Sequence, residues 1–329
     1  MGSDVKLVSF MRADQSRGIG ALLADGGRVC DFAASADLRG LSMVGLIERG
    51  GAGLDAARAA LDVAESQGEG VCPLSEVTLL PPLQPVHLRC FSVYEKHLTQ
   101  AIDAVMTERL GGWAVRLNKV LKLFKPPKRF YRIPFYYKGN RLSVSGPGDE
   151  IRWPSYADWL DYELELGVVI GKAGRDIAQA DAAGHIFGYT IFNDFSARDM
   201  LMKELAGQGS GGPAKGKDFD TSNAIGPWIV TADEIADPQA LAMTVRVNGA
   251  VAGESSTAEM HHSIARMIEY ASMDETIHAG ELFGTGAASN GSGIEFGKRL
   301  APGDRVELEI EKIGSLQNTI GARAKPAAR

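Results

Sequence analysis

The chain has 329 residues, 45% apolar and 23% charged, a balance that excludes wholesale disorder and indicates one large domain, or a large domain with a small one. Thirty-five Lys and Arg against 41 Asp and Glu leave a net charge of −6, which argues against a nucleic-acid surface. No run of about 18 apolar residues is present to span a membrane, the opening MGSDVKLVSFMRAD lacks the apolar core of a secretory signal, and Cys30, Cys72 and Cys90, without metal-site spacing, suit a reducing cytoplasm.

In chain order, residues 5–10, 20–23 and 28–32 read as short strands separated by turn signals such as Asp25-Gly26-Gly27. Residues 41–47 and 54–65 have helical spacing of apolar side chains. Pro81-Pro82 and Pro85 then punctuate the chain, marking a boundary between a small N-terminal β-rich domain, residues 1–80, and a main domain, residues 81–329. Residues 97–110 read as an amphipathic helix with Leu98, Ala101, Ile102, Val105 and Met106 on one side. Residues 111–135 mix Lys, Arg and aromatics around Lys125-Pro126-Pro127-Lys128; on an acidic protein they read as a solvated loop or lid rather than a nucleic-acid site. From residue 162 the pattern is strongly β, at 162–170, 189–193, 227–231, 243–247 and 306–310, with one good helix over 263–270. Strands outnumber helices, which favours a β-rich α+β fold over alternating βαβ units.

The segment Asp161-Tyr-Glu-Leu-Glu-Leu166 is the most informative. In a strand Glu163 and Glu165 share a face, about 6.5 to 7 Å apart at Cα, with Tyr162, Leu164 and Leu166 on the other. Adjacent carboxylates repel unless a cation or proton holds them, and hard oxygen donors favour Mg²⁺ or Mn²⁺ over zinc. An isolated pair is more often a solvated strand face, but Asp194, ending the run 189–193, adds a third acid where strand ends converge on ligands; as an alternative, it caps the following helix. The stretch Gly207-Gln-Gly-Ser-Gly-Gly-Pro-Ala-Lys-Gly-Lys-Asp-Phe219 matches a dinucleotide fingerprint at Gly207, Gly209 and Gly212, yet no strand precedes it and Pro213 blocks a helix. Residues 211–217 fit the start of a phosphate loop, but Asp218 stands where Ser or Thr is needed. A mobile loop delivering Lys217 to an anion fits better. His261 and His262 sit at a helix start and read as surface residues; His97, beside Glu95 at the head of a helix, is the better candidate for a base.

Together these residues resemble the fumarylacetoacetate hydrolase superfamily, and most closely its bacterial two-domain members. Tyr162-Glu-Leu-Glu-Leu166 is similar to the family's metal strand, Asn193-Asp-Phe-Ser-Ala-Arg-Asp199 to its N-D-x-[ST]-A-R-D segment, and Gly216-Lys-Asp-Phe-Asp-Thr-Ser222 to its G-K-x-F-D-T loop. Gly284-Thr-Gly286 and Pro302-Gly-Asp304 are similar to its late motifs, the order holding from about residue 80 to residue 317. The resemblance implies a mixed β-sandwich roll with a small N-terminal β-rich domain, usually a homodimer; charge, the lack of a span and the cysteines add the expectation of a cytoplasmic protein without nucleic-acid or membrane partners. It implies Glu163, Glu165 and Asp194 as ligands of Mg²⁺ or Mn²⁺, with Ca²⁺ able to take their place in crystals. His97 is then the general base, Glu295 the carboxylate that orients it, Lys217 and Thr285 the groups on the substrate's oxyanion and carboxylate, and Tyr137 a substrate contact.

The implied reaction is hydrolysis of a C–C bond in a 2,4-dioxo acid, an acylpyruvate or fumarylacetoacetate-like compound, by His-activated water and a metal- and Lys-stabilised enolate. The alternative is decarboxylation, isomerisation, hydration or dehydration of a 2-oxo acid at the same site, and the remote alternative is an inactive metal- or ligand-binding protein. Residues 97–132 and 206–216 are expected to act as a lid ordered by ligand. Cys90 stands where eukaryotic-type members have a fourth acidic ligand, seven residues before His97, and Gln100 where smaller members have Glu. Leu201 and Leu205 replace more polar positions, so a more apolar pocket is expected, not tuned for fumarylacetoacetate itself.

Overall fold

The structure is a computed structural model that describes residues 5–205 and 212–323. Gly207, Gly209 and Gly211, with the 206–211 part of the expected lid, lie outside the described residues.

The apolar runs build a twelve-stranded sheet whose centre is Ile186–Asp194, antiparallel to Leu164–Ile170 on one side and to Asn223–Thr231 on the other. All three strands are buried almost throughout, and their near-continuous apolar sequences follow from having both faces covered. Leu166, Val168, Tyr189 and Ile191 point into one core, Val169, Phe187, Phe192 and Ile225 into a second. Next to Leu164–Ile170 runs Leu282–Gly284, antiparallel, then Leu88–Phe91, parallel, then Tyr136–Lys138. At the opposite end Asn223–Thr231 pairs with Lys6–Met11, followed by Arg17–Leu22, Arg28–Asp31 and Val71–Pro73. The strands of the first 80 residues therefore extend the main sheet. Helices Met43–Glu48 and Gly50–Gln67 cover the second core, which mixes Leu46, Ala57 and Leu61 with Leu88, Val169 and Phe192.

A five-stranded sheet shares the first core. Its order is Ala250–Ser256, Ala242–Val247, Arg305–Ile310, Gly314–Arg323, Glu150–Trp153, and it contributes Met243, Val245, Leu308 and Leu316 beside Leu166 and Tyr189. Helix Ile264–Ser272 closes that core with Ile264, Met267 and Ile268; it begins at Ser263, whose hydroxyl accepts the Arg266 N–H. The fold is the strand-rich α+β class expected, and among the described residues no helix is long and apolar enough to cross a membrane.

Two local expectations are corrected. Residues 112–121, expected in a loop, form helix Gly112–Leu121; Trp113, Leu117 and Leu121 recur at helical spacing, but the basic composition and the prolines that follow masked it. His262, expected at the surface, is 8% exposed, with Nε2 2.5 Å from the Phe130 carbonyl and its ring against that of Phe130. His261 is exposed as expected.

Candidate active site

The antiparallel register of the two central strands brings the start of one beside the end of the other. Glu163, bridged to Ser292, immediately precedes Leu164–Ile170, and the Asp194 N–H that ends Ile186–Asp194 donates to the Glu163 carbonyl at 3.2 Å. The pleat puts Glu163 and Glu165 on one face, while Tyr162, Leu164 and Leu166 enter the core. Carboxylate oxygens of Glu163, Glu165 and Asp194 lie within 4.8 Å of one another, and all three residues are buried.

Glu165 fits only because its neighbour lacks a side chain. A Cβ on Gly284, one strand over, would lie 2.5 Å from Glu165 Oε2 and 2.7 Å from Phe192 Cδ1. The Gly286 N–H donates to Glu165 Oε2 at 2.8 Å, and between the two glycines the Thr285 hydroxyl accepts the Leu166 N–H at 3.2 Å. The Gly284-Thr285-Gly286 segment is thus a cradle for a carboxylate.

Two buried cations answer the acids. Lys217 Nζ lies 2.5 Å from Glu163 Oε2 and 2.9 Å from Asp194 Oδ2. Arg198 Nη1 lies 2.5 Å from Glu163 Oε1 and its Nε 2.8 Å from Asp161 Oδ2. Burial alone would raise the Glu163 pKa, but Lys217 and Arg198 outweigh it and hold the group down at about 2. Glu165 lacks such partners, and burial with Asp194 and Glu163 beside it pushes its carboxyl well above the usual range. Burial, reinforced by Glu163, also raises Asp194 against the pull of Lys217.

Four buried acids, Asp161, Glu163, Glu165 and Asp194, therefore share two buried cations. The acids outnumber the cations beside them, and donors for a divalent cation are already in place: hard carboxylate oxygens, among them Asp194 Oδ1, which is buried with no hydrogen-bond partner among the described residues. The residues fit a divalent metal. Cys90 is outside this ligand group among the described residues; burial, then Asp194 and Glu165, push its thiol far up, so it stays neutral.

His97, in the first turn of helix Glu95–Leu110, places Nδ1 3.1 Å from Glu295 Oε1. A carboxylate only accepts, so Nδ1 carries the proton and Nε2 is the basic nitrogen. Glu295 is fixed in turn by the N–H groups of Asn290, at 3.0 Å, and Ser292, at 2.9 Å. Gln100, one turn after His97, donates to Asn290 Oδ1 at 2.8 Å. Asp161 locks the dyad to the ligands: besides Arg198 it accepts the N–H groups of Gly293, at 2.8 Å, and Ile294, at 3.0 Å, in the turn that carries Glu295.

The structure thus brings Glu163, Glu165, Asp194 and Lys217 together and pairs His97 with Glu295. It places the Tyr137 hydroxyl on Asp194 Oδ2, at 2.6 Å, and the Thr285 hydroxyl on the Leu166 N–H. Asp194 does not cap the following helix; Tyr137 and Lys217 take its carboxylate. Lys217 is held in the interior, and the anions it meets are Glu163 and Asp194. Leu201 is buried against Gly216, whereas Leu205 is exposed. Arg198 and Asp161 received no role from the sequence, although Asp161, Glu163 and Glu165 already alternate along one face.

The family profile "Fumarylacetoacetate (FAA) hydrolase C-terminal" matches residues 112–321. The chain belongs to the fumarylacetoacetate hydrolase family. It is 32% identical to "Oxaloacetate tautomerase fahd2, mitochondrial" of Xenopus laevis over 96% of this chain and 90% of that protein. It is 38% identical to "2,4-didehydro-3-deoxy-L-rhamnonate hydrolase" of Sphingomonas sp. (strain SKA58) over 57% of this chain and 65% of that one. Among solved structures, the fumarylacetoacetate hydrolase of Exiguobacterium antarcticum superposes with a TM-score of 0.72 at 27% identity, covering 97% of this chain and 100% of the other. Members of this enzyme family thus carry tautomerase and hydrolase names on one fold.

Two outcomes are expected from this geometry. Gly284→Ala should push Glu165 out of its cradle and weaken Mn²⁺ binding, read by calorimetry, about 10- to 100-fold; unchanged affinity would contradict the cradle. Arg198→Met leaves Asp161 and Glu163 short of a buried partner and should cost about 3–5 kcal/mol in urea unfolding. A loss below about 1 kcal/mol, the worth of a surface pair, would show that Arg198 does not hold them.

Proposed function

We propose that the chain is a divalent-metal-dependent enzyme of 2-oxo acid enol chemistry that interconverts the keto and enol forms of oxaloacetate or a close 2-oxo dicarboxylate. The observation that carries this reading is the buried His97–Glu295 dyad fastened to the acidic triad, a proton-transfer pair beside a site for a chelated 2-oxo acid. The named activity of the Xenopus laevis relative, which matches over nearly the whole of both chains, supports it.

Glu163, Glu165 and Asp194 would hold Mg²⁺ or Mn²⁺, which supplies Lewis acidity toward the adjacent carbonyl and carboxylate oxygens of a 2-oxo acid. His97 Nε2 takes a proton from the carbon next to the carbonyl, and Glu295 stabilises the imidazolium that forms. The Lys217 ammonium adds positive charge where the enolate oxygen develops. Return of the proton from His97 to that oxygen completes the enol, so no atom is gained or lost. Thr285 and Tyr137 act on substrate through the ligands, Thr285 by fixing Leu166 between the two glutamates' strand and its neighbour, Tyr137 by orienting Asp194. His97, Lys217 and the three acids are each at most 8% exposed, and a site that excludes water suits proton transfer within the substrate.

A second reading is hydrolysis of the C–C bond of a 2,4-dioxo acid, favoured by the same dyad, which is equally suited to activating water. The division of the chain near residue 80, a homodimer and a cytoplasmic location belong to either reading.

The test follows the enol absorbance of oxaloacetate and of a panel of acylpyruvates with Mg²⁺ or Mn²⁺, then with EDTA. Metal-dependent loss of enol-oxaloacetate absorbance without pyruvate is the expected result. Pyruvate released from an acylpyruvate would establish the hydrolase instead, pyruvate and CO₂ from oxaloacetate a decarboxylase, and metal binding with no turnover on any member a binding protein. His97→Ala should keep metal affinity and lower turnover about 10²- to 10⁴-fold; full activity would remove His97 from the role of base.

A further inference from the structure

The basic-aromatic stretch, part of the segment expected as a lid, contributes no side chain to the acidic triad or to the His97–Glu295 pair, and its structure is unusual for an acidic protein. Helix Gly112–Leu121 buries Ala114 and Asn118 and turns Trp113, Leu117, Val120 and Leu121 to solvent. These four recur at i, i+4, i+7 and i+8, one stripe of the helix. Trp113 is 65% exposed, Val120 77% and, just beyond the helix, Leu123 69%. Their exposure is built in. Buried Asn118 donates through Nδ2 to the Phe124 carbonyl and accepts the Phe124 N–H, both at 2.8 Å, and Lys122 takes a left-handed conformation, φ 52°. The turn so fixed presents Leu123 and Phe124 outward beside the stripe.

Charge on this surface opposes that of the molecule. Residues 109–132 carry eight Lys and Arg and no Asp or Glu, on a protein of net charge −6. All eight are exposed, and among the described residues none is paired with a carboxylate. Arg116 and Lys119 flank the apolar stripe on its helix, and Lys122 and Lys125 bracket Leu123 and Phe124.

We propose that residues 109–132 form a surface that rests on an anionic phospholipid bilayer, with Trp113, Val120, Leu123 and Phe124 entering the headgroup–acyl boundary and the lysines meeting lipid phosphates. An apolar stripe flanked by unpaired cations is complementary to such a surface in both respects. A second copy docking two-fold on the same patch would set the eight cations against themselves. Single-stranded nucleic acid needs aromatic platforms for its bases, and four of the six protruding apolar groups are aliphatic. Resting on a bilayer needs no spanning helix, so the expectation of no membrane partner, drawn from the lack of a span, does not bear on it.

The intact protein is sedimented with vesicles of phosphatidylglycerol and phosphatidylcholine, and with phosphatidylcholine alone. Binding at least tenfold stronger to the anionic vesicles is expected, falling as salt rises, with a blue shift of tryptophan fluorescence that Trp113→Phe removes. Val120→Asp with Leu123→Asp, and separately Lys119→Glu with Lys122→Glu, should each weaken binding at least tenfold without moving the thermal melt. Equal binding to both vesicles, or none, overturns the proposal. So does dissociation of an oligomer by the aspartate pair without effect on vesicles, which would assign the face to a second copy. A Trp113 shift produced by Mn²⁺ with oxalate and not by vesicles would assign the helix to the enzyme's own site, and also overturns it.

Discussion

The interior of this protein is organised around a charge deficit. Asp161, Glu163, Glu165 and Asp194 are all buried, and among the described residues the buried cations paired with them are Arg198 and Lys217. Removing an ion from water costs several kcal/mol, and a carboxylate left without a partner in the interior repays none of it. Glu163 meets this constraint by facing both cations, Glu165 by a backbone N–H and a raised pKa. A divalent cation resolves the remainder. Stability of the metal-free chain and affinity for metal are therefore two aspects of one arrangement: what the acids lose by repulsion in one state is what the cation gains in the other.

That arrangement explains why the fold is shaped as it is. Glu163, Glu165 and Asp194 sit on or beside the central, doubly covered strands of the main sheet, where backbone hydrogen bonds on both sides leave little freedom. The groups that restrain them come from several directions, Arg198 from the helix after Asp194, Tyr137 from the strand paired with that of Cys90, and the Gly286 amide from the segment just after Leu282–Gly284. The base is held differently. His97 belongs to a helix that reaches the acids through Glu295 and its loop, while Glu295 is tied through its turn to Asp161. The acids and Glu295 form one hydrogen-bonded unit, and the helix bearing His97 is docked onto it.

Legibility in the sequence followed the range of the interactions. The long apolar strands, the alternating acids and the strand-ending Asp194 are local patterns, and the structure has them where period and composition indicate. The dyad joins residues 198 apart, so no spacing reveals it; only the family resemblance pointed to Glu295. Leu88–Phe91 and Leu282–Gly284 are too short to show a period, and each owes its place to partners far along the chain. Arg198 looked like an ordinary helical arginine because burial of a guanidinium depends on which acids the tertiary fold delivers. Lys217 looked mobile because glycines surround it, yet Glu163 and Asp194 hold it in the interior. Helix Gly112–Leu121 escaped because its basic composition and the prolines after it outweighed the helical spacing of Trp113, Leu117 and Leu121.

One residue bears on the choice between the two reactions. Gln100 lies one helical turn from His97 and is bonded to Asn290, whose N–H in turn donates to Glu295. The resemblance places a glutamate here in smaller family members, where a carboxylate could pass a proton to and from water beside the histidine. An amide cannot carry that proton; it braces the loop of Glu295 instead. With an amide rather than an acid one turn from His97, a proton taken by His97 in the proposed reaction has a short return path to the substrate. Hydrolysis must move protons among water, base and leaving group, whereas enolisation only lifts a proton from carbon and sets it on oxygen. The substitution at position 100 thus weighs toward the simpler proton economy, for the same reason that the dyad is so deeply enclosed.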